Sequence, residues 1–216
     1  MSFDIHSLYS QIFKIWRKKR FQQFLDIIKP QPDEVLLDVG GTPYFWLSFA
    51  QPVKRIDALN VTDSPWDRDG HPRHNIHTSV GDGCALGMPD KSYEIGFSNS
   101  VIEHVGSWDN QKRFASEIRR VAQRLWVQTP AYECPIEPHY IAPFVHYLPH
   151  SVQRHMIRWG TLRGWLSRPS KAWINEMIET TRLLKKSEMK ELFPDCEILT
   201  ERFLWIFPKS YIAIRK

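Results

Sequence analysis

Cysteine is scarce in this chain. Cys84, Cys134 and Cys196 stand apart, with no Cys-x-x-Cys pair among them. An odd, scattered set argues against a disulfide framework or a structural zinc site and for a reducing, cytoplasmic setting. Long apolar runs are missing as well. No window approaches the roughly 20 apolar residues of a membrane span, and the N-terminus has no apolar signal core. There is no internal repeat and no low-complexity tract. Neither sign of charge dominates: 29 Lys and Arg face 24 Asp and Glu, a net of +5. A nucleic-acid binder carries a denser basic stripe, so nucleic acid is not an expected partner. Part of the excess sits in Lys14, Arg17, Lys18, Lys19 and Arg20, and more between Arg154 and Lys190. A solvated helix face explains such clusters; contact with an anionic substrate or a membrane surface is the alternative.

What is present is an ordinary core. The 216 residues are 42% hydrophobic, enough for one domain over 1–216 with room for an insertion. Aromatic residues make up 13%, with nine Trp. Many lie in the second half, where they serve either a Trp-rich core or a pocket for a large or planar substrate.

The most informative stretch runs from Val35 to Trp46, Val-Leu-Leu-Asp-Val-Gly-Gly-Thr-Pro-Tyr-Phe-Trp. A short apolar run closed by turn residues reads as a buried strand. Glycines after it permit a tight turn and close approach to a ligand, and a following helix start offers free N–H groups to a carboxylate. That is the plan of a cofactor site at the end of the first strand of an open α/β sheet.

Apolar spacing predicts a helix over 8–28, stopped by Pro30, so that 1–30 forms an N-terminal cap. Strands are expected at 34–39, 53–59, 78–80, 92–99 and 124–129, with a short crossover helix at 45–50, a loop over 64–77 and a helix at 110–122. Alternating strands and crossovers make a mostly parallel, Rossmann-like sheet with helices on both faces. Proline and aromatic residues then crowd 131–170, and 131–186 reads as a lid over the acceptor, helical near 152–166. A helix over 187–193 with Ser187 as N-cap, and two strands at 197–207 and 210–214 joined tightly at Pro208-Lys209, close the chain.

Four segments in order carry a family resemblance: Leu37-Asp38-Val39-Gly40-Gly41-Thr42, Val80-Gly81-Asp82-Gly83, Met88-Pro89, and Tyr93 through Val105 ending Ser-Asn-Ser-Val-Ile-Glu-His-Val. Together they resemble a class I S-adenosylmethionine-dependent methyltransferase, of the type-11-like subgroup with Glu-His-Val after strand four. The resemblance covers 34 to about 130 and the closing strand pair. It implies a seven-stranded sheet with one antiparallel edge strand, S-adenosylmethionine as cofactor and S-adenosylhomocysteine as product. The glycine turn departs from the family's Asp-x-Gly-x-Gly-x-Gly: one residue fewer separates the glycines, and the last glycine is absent.

Carried over residue by residue, Asp38, Gly40, Gly41 and Thr42 would receive the methionine part of the cofactor. At the end of strand two, Asn60 with Val61 competes with Asp57 for the ribose hydroxyls; the family's usual acid has no clear counterpart. Asp82 would accept from the adenine amino group beside Gly83. Asn99, Ser100 and Val101 would line the methionine and sulfonium region. His104 suits either a general base or a pocket wall, since its ordinary pKa lies near 6.5. Pro135 to Tyr140 resembles a segment of this subgroup that faces the acceptor, where Glu137 and His139 would form an acid–base pair or hold acceptor hydroxyls. The spacing of His139, His146 and His150 matches no zinc pattern, and no metal is expected. The expected reaction is methyl transfer, at oxygen, to a small-molecule, glycan or lipid-linked acceptor. The alternative is a non-catalytic module or partner subunit on the same fold, favoured by the irregular glycine turn and the missing strand-two acid.

Overall fold

The computed structural model describes residues 5–62, 74–137, 139–140 and 142–216. Helix α1 (Ile5–Ile28) ends with Lys29 in the left-handed conformation, its N–H donating back to the Leu25 carbonyl, ahead of Pro30, which cannot continue a helix. Then follow β1 (Val35–Val39), α2 (Pro43–Trp46), β2 (Arg55–Asn60), β3 (Ile76–Val80), β4 (Tyr93–Asn99), α3 (Trp108–Val121) and β5 (Ala122–Pro130). Among the described residues these five strands, with β8 (Glu197–Phe203) and β9 (Phe207–Arg215), form one seven-stranded sheet in the order β3-β2-β1-β4-β5-β9-β8. The first five are mutually parallel; β9 is antiparallel to β5 and to β8. The single reversed strand therefore lies second from the edge, inside β8.

Because successive strand residues face opposite ways, the parallel strands feed two cores. Leu37, Val39, Leu59, Leu125 and Val127 face α3, through Phe114, Ile118 and Val121. Leu36, Ile56, Ile95, Phe97 and Trp126 face α1, through Phe21, Phe24 and Ile28. A sheet covered on both faces reads as unbroken apolar runs rather than alternation, which is why β1 and β4 stood out in the sequence. Between β5 and α7 (Lys186–Leu192) lie a two-residue pair, β6 (Ile136–Glu137) with β7 (Ala142–Pro143), and helices α4 (His150–Trp159), α5 (Leu162–Ser167) and α6 (Lys171–Thr180). These carry a third core built on Tyr140, Val145, Ile157, Ile174 and Ile178.

Several sequence expectations need correction. The crossover helix is a single turn at Pro43–Trp46, not 45–50, because proline pre-sets the helical φ and seeds the first position. The helix expected over 152–166 is two helices broken at Gly160, and α6 was not anticipated. Ser187 is not the N-cap of α7. The helix begins one residue earlier, where the Glu188 carboxylate accepts from the Lys185 N–H at 2.8 Å. The last hairpin turns at 204–206, not at Pro208-Lys209. Pro208 is tolerated inside β9 because the ladder is irregular there: Glu201 pairs with Ser210 and Arg202 with Pro208. Of the loop expected over 64–77, residues 64–73 lie outside the described residues, and Ile76 and His77 belong to β3.

Candidate functional site

The parallel strands present their C-terminal ends along one edge, where open α/β sheets bind ligands. A cleft of about 460 Å³ opens there. Gly40, Asn60, Val61, Asp82, Gly83, Ser100, Val101 and His104 all line it, so the structure gathers most of the residues read as cofactor-binding. Its floor is apolar, from Val39, Leu59 and Phe114.

The glycine turn is set by steric need. Gly40 has φ +80°, and a Cβ there would lie 2.3 Å from the Val101 side chain. At Gly41 a Cβ would lie 1.8 Å from the Asp38 carboxylate. Asp38 does not line the cleft. It is buried beneath the turn and accepts a hydrogen bond from the indole Nε1 of Trp46 at 2.7 Å. Its other oxygen has no hydrogen-bond partner among the described residues. Burial raises its pKa to about 7, against the lowering effect of the Trp46 bond. Asn60 closes the turn from the next strand, its amide donating to the Gly40 and Gly41 carbonyls at 3.2 Å each while its oxygen accepts from the Val61 N–H at 2.8 Å. Asp57 points elsewhere, to Arg55 and to the Tyr93 hydroxyl. Thr42, the N-cap residue of α2, is exposed and makes no side-chain cap. Asp82 sits at the cleft rim, accepting from the Cys84 N–H at 2.8 Å.

Beyond β4 the chain turns sharply at Ser100, held at φ +57°, a conformation that costs a non-glycine residue about 1–2 kcal/mol. Gln128 fixes it: the Ser100 N–H donates to its carbonyl at 2.9 Å and the hydroxyl to its side chain at 3.0 Å. Asn99 lies outside the cleft wall and accepts from Arg20 at 2.9 Å; the same guanidinium reaches Gln128 at 3.0 Å and pairs with Glu201 at 2.8 Å. The N-terminal helix therefore braces the segment after β4. Nothing in a lone arginine of a basic run signals that role.

His104 ends a short 3-10 turn, Ile102–His104. Its Nε2 lies 3.1 Å from Nε2 of His139, and its Nδ1 lies 3.3 Å from the Thr181 hydroxyl. His139 Nδ1 lies 2.6 Å from the Glu137 carboxylate, whose second oxygen accepts from the Tyr140 N–H at 2.7 Å. Glu137, His139 and His104, separated by up to 35 positions in sequence, thus form one hydrogen-bonded line. Burial and the neighbouring His139 push the His104 pKa down to about 4, Glu137 pulling the other way. Beneath it Glu103 is fully buried, accepts from Thr129 at 2.9 Å, and has its pKa raised to about 7, burial being the largest cause.

One oxygen of Glu103 and the Nε2 atoms of His104 and His139 lie within 4.8 Å of one another. Ligand atoms held about 2.1 Å from one tetrahedral zinc sit about 3.4 Å apart. The two imidazoles are closer than that, at hydrogen-bond distance, and Glu103 stands farther off, 4.0 Å from His104, so the set suits a proton relay better than a single ion. His139, His146 and His150 are not brought together as a metal cluster among the described residues; His146 bonds to the Tyr132 carbonyl instead.

A second cavity, about 340 Å³, has Glu137, the first member of this line, in its wall. Tyr132, Glu137, Tyr140, Thr181, Arg182 and Lys185 contribute to its wall. Sequence reasoning missed Thr181 and Arg182. No motif marks them, and only the fold brings 181–184 against the segment after β4: the Arg182 N–H donates to the Glu103 carbonyl at 2.7 Å, and Gln111 bonds to Arg182 at both main chain and guanidinium.

The family model for the methyltransferase domain matches residues 37–124, the stretch that builds the glycine turn, the Asp82 corner and the His104 segment. That stretch matches a methyltransferase domain, and the fold around it is that of class I S-adenosylmethionine-dependent methyltransferases. Solved structures agree in fold. The magnesium protoporphyrin IX methyltransferase of Synechocystis, crystallised with S-adenosylhomocysteine, superposes with a TM-score of 0.56 at 10% identity over 94% of this chain and 84% of its own. A protein of Pyrococcus horikoshii gives 0.54 at 13% identity over 94% and 89%. A methyltransferase of Aquifex aeolicus gives 0.52 at 13% identity over 92% and 88%. The chain spans only 24% of a Haemonchus contortus phosphoethanolamine N-methyltransferase. No curated protein matches it. The family's cofactor is S-adenosylmethionine, and the cleft at the strand ends is where this fold receives it.

Proposed function

We propose that this methyltransferase moves the methyl group of S-adenosylmethionine to a hydroxyl of a small-molecule, glycan or lipid-linked acceptor seated in the second cavity under a lid formed by 131–186. The observation that carries this reading is the hydrogen-bonded line Glu137–His139–His104, which has Glu137 in the wall of the second cavity and His104 in the wall of the cofactor cleft.

In this reading Gly40 and Gly41, with the α2 start at Thr42, admit the methionine end of the cofactor over buried Asp38. Asn60 and Val61 meet the ribose, Asp82 and Gly83 the adenine, and Ser100 and Val101 the sulfonium, with Asn99 behind them. Transfer is an in-line displacement: the acceptor oxygen bonds to the methyl carbon as the carbon–sulfur bond breaks, and S-adenosylhomocysteine leaves uncharged. Orientation and exclusion of water supply much of the acceleration. The proton of the acceptor hydroxyl goes to the imidazole pair. His104 is unprotonated at neutral pH, and Glu137 compensates the charge that appears on His139, as the carboxylate does in other acid–imidazole–nucleophile lines. A hydroxyl needs such a base, which is the support for oxygen as the accepting atom.

The test has two arms. Titration of S-adenosylhomocysteine into the protein and into Asp82→Ala measures the cleft: binding by the first, weakened in the second, is expected. Incubating radiolabelled cofactor with extract fractions then seeks a methylated product. Transfer that His104→Ala abolishes while cofactor binding persists supports the relay. Transfer that survives the change sinks it.

A further inference from the structure

Residues 203–207 read Phe-Leu-Trp-Ile-Phe, an unbroken apolar run, yet they form the tip of the β8–β9 hairpin. Leu204, Trp205, Ile206 and Phe207 are 65%, 94%, 68% and 42% exposed. Apolar side chains grouped at this exposure mark a contact surface rather than a core. The turn itself is ill-suited to its residues. Leu204 and Trp205 hold φ +50° and +64°, and the Ile206 N–H bonds back to the Phe203 carbonyl at 3.2 Å. Two successive left-handed positions in a hairpin ordinarily take Asn-Gly; large side chains there are strained without any packing in return.

The setting says what the tip would meet. β5 ends at Pro130, opposite Ser210, and Glu201 is opposite the same Ser210. The hairpin therefore runs on past the C-terminal edge of the parallel strands, the edge that holds the cofactor cleft. Helix α1 is fastened to its base, Arg20 by Glu201 at 2.8 Å and Trp16 beneath the Lys209 ammonium at 3.9 Å. Next to these anchors Arg17, Lys18 and Lys19 are all exposed, as is Arg202 on the hairpin.

We propose that this tip and the exposed cations flanking its anchor, Arg17 and Lys19 on α1 with Arg202 on the hairpin, dock the enzyme on an anionic lipid bilayer. A Trp between aliphatic residues belongs at the depth of the headgroups, with cations outside it, and each of these cations is drawn to negative lipid. Four side chains fall short of the ~800 Å² per partner that a stable protein interface buries, whereas a bilayer asks only for depth and charge. Among the described residues no helix is long and apolar enough to cross a membrane, so the contact is peripheral. The inference concerns docking alone and holds whatever the acceptor is.

Co-sedimentation with vesicles tests it, using phosphatidylcholine alone and phosphatidylcholine carrying phosphatidylglycerol. The protein is expected to pellet with the second, not the first, and to be released by salt. Leu204→Asn with Trp205→Gly installs the turn its backbone prefers, so this variant folds at least as stably and still binds S-adenosylhomocysteine. It is expected to lose vesicle binding by about tenfold or more. Arg17→Glu with Lys19→Glu is expected to lose it as well. Wild-type protein that stays in the supernatant overturns the proposal. So does a tip variant that pellets undiminished, or one whose only change is a smaller particle mass in light scattering, which would make the tip a protein contact.

Discussion

The Nε2 atoms of His104 and His139 face each other at 3.1 Å, and only one of them holds a proton in a hydrogen bond between them. Since His139 Nδ1 is 2.6 Å from Glu137, that nitrogen carries the proton toward the carboxylate, and the pair has a site left for one more. A positioned base contributes about 10²–10⁴ to a rate. His104→Ala and His139→Ala should each lower kcat by that order, with S-adenosylhomocysteine affinity unchanged in His139→Ala and altered far less than kcat in His104→Ala, which trims the cleft wall, and the double variant should fall little further, because the two act as a unit. A chelator should leave the rate unaltered. Steady-state kinetics of the three variants, with calorimetry for affinity, checks this.

The acidic limb of the pH–rate profile follows from His104. Its pKa is pushed down to about 4 by burial and then by His139, so it stays unprotonated well below the 6.5 of an ordinary imidazole. Activity should hold as pH falls through 6.5 and decline only nearer 4. Glu137→Gln removes the one partner that raises the His104 pKa, so its kcat should fall while the limb moves no higher. A limb centred at 6.5 in the wild-type enzyme would remove His104 as the base.

Gly41→Ala tests the turn. A Cβ there lies 1.8 Å from a carboxylate oxygen of Asp38, and Asp38 cannot retreat, being buried and tied to Trp46. Overpacking of this kind costs about 1–3 kcal/mol. The expected results are a lowered Tm and at least tenfold weaker cofactor binding. An equal Tm with equal affinity would show the turn to be more pliant than its geometry.

How far the sequence carries depends on how local each signal is. β1, β4 and α3 are legible because burial on two faces, or one, writes a continuous or periodic apolar pattern into consecutive residues. The cleft is legible for the same reason: Gly40, Asn60, Asp82 and Ser100 each lie at a strand end or within two residues of one. The relay is only half legible. Glu137 and His139 are neighbours in a distinctive segment, but Thr181, 77 positions from His104, follows a helix that no local pattern announced. Asp57 was a fair rival to Asn60 by position, and only the structure shows it turned toward Tyr93. The hairpin turn is not legible, because Pro208 is the conspicuous breaker while the actual turn uses Leu204 and Trp205, residues that ordinarily avoid it.

Two buried acids set how stability responds to pH. Asp38 and Glu103 both have folded-state pKa values near 7, against 3.8 and 4.5 ordinarily, with burial the main cause in each. An acid whose pKa is raised by folding binds its proton more tightly in the native state. Stability then falls as pH rises between the two values, and the whole cost is present above 7. The protein should be most stable on the acid side of neutrality and lose on the order of 2–4 kcal/mol per group by pH 8. Asp38→Asn can still accept from Trp46, so it should flatten this slope and raise Tm at pH 8 more than at pH 5. Thermal melts across pH 5–8 that show no difference between variant and wild type would contradict it.

Arg20 should matter more than its place in a basic run suggests. Its guanidinium holds Glu201, Asn99 and Gln128 together, and Gln128 in turn fixes Ser100 in its strained turn at the cleft wall. Both partners of the Arg20–Glu201 pair are largely buried, with side chains 11% and 17% exposed. Removing one partner leaves the other charge without compensation, a loss of 3–5 kcal/mol for a fully enclosed pair; with this residual exposure Arg20→Met should cost about 2 kcal/mol. Glu201→Gln leaves the guanidinium without a counter-ion but still hydrogen-bonded to Asn99, Gln128 and the new amide oxygen, so it should cost less. If Arg20 serves only the hairpin, both variants will bind S-adenosylhomocysteine as the wild type does. If it also positions the segment after β4, Arg20→Met will weaken cofactor binding severalfold and Glu201→Gln will not, because only the arginine reaches Asn99 and Gln128. Calorimetric titration of the two variants beside their melting curves separates the outcomes.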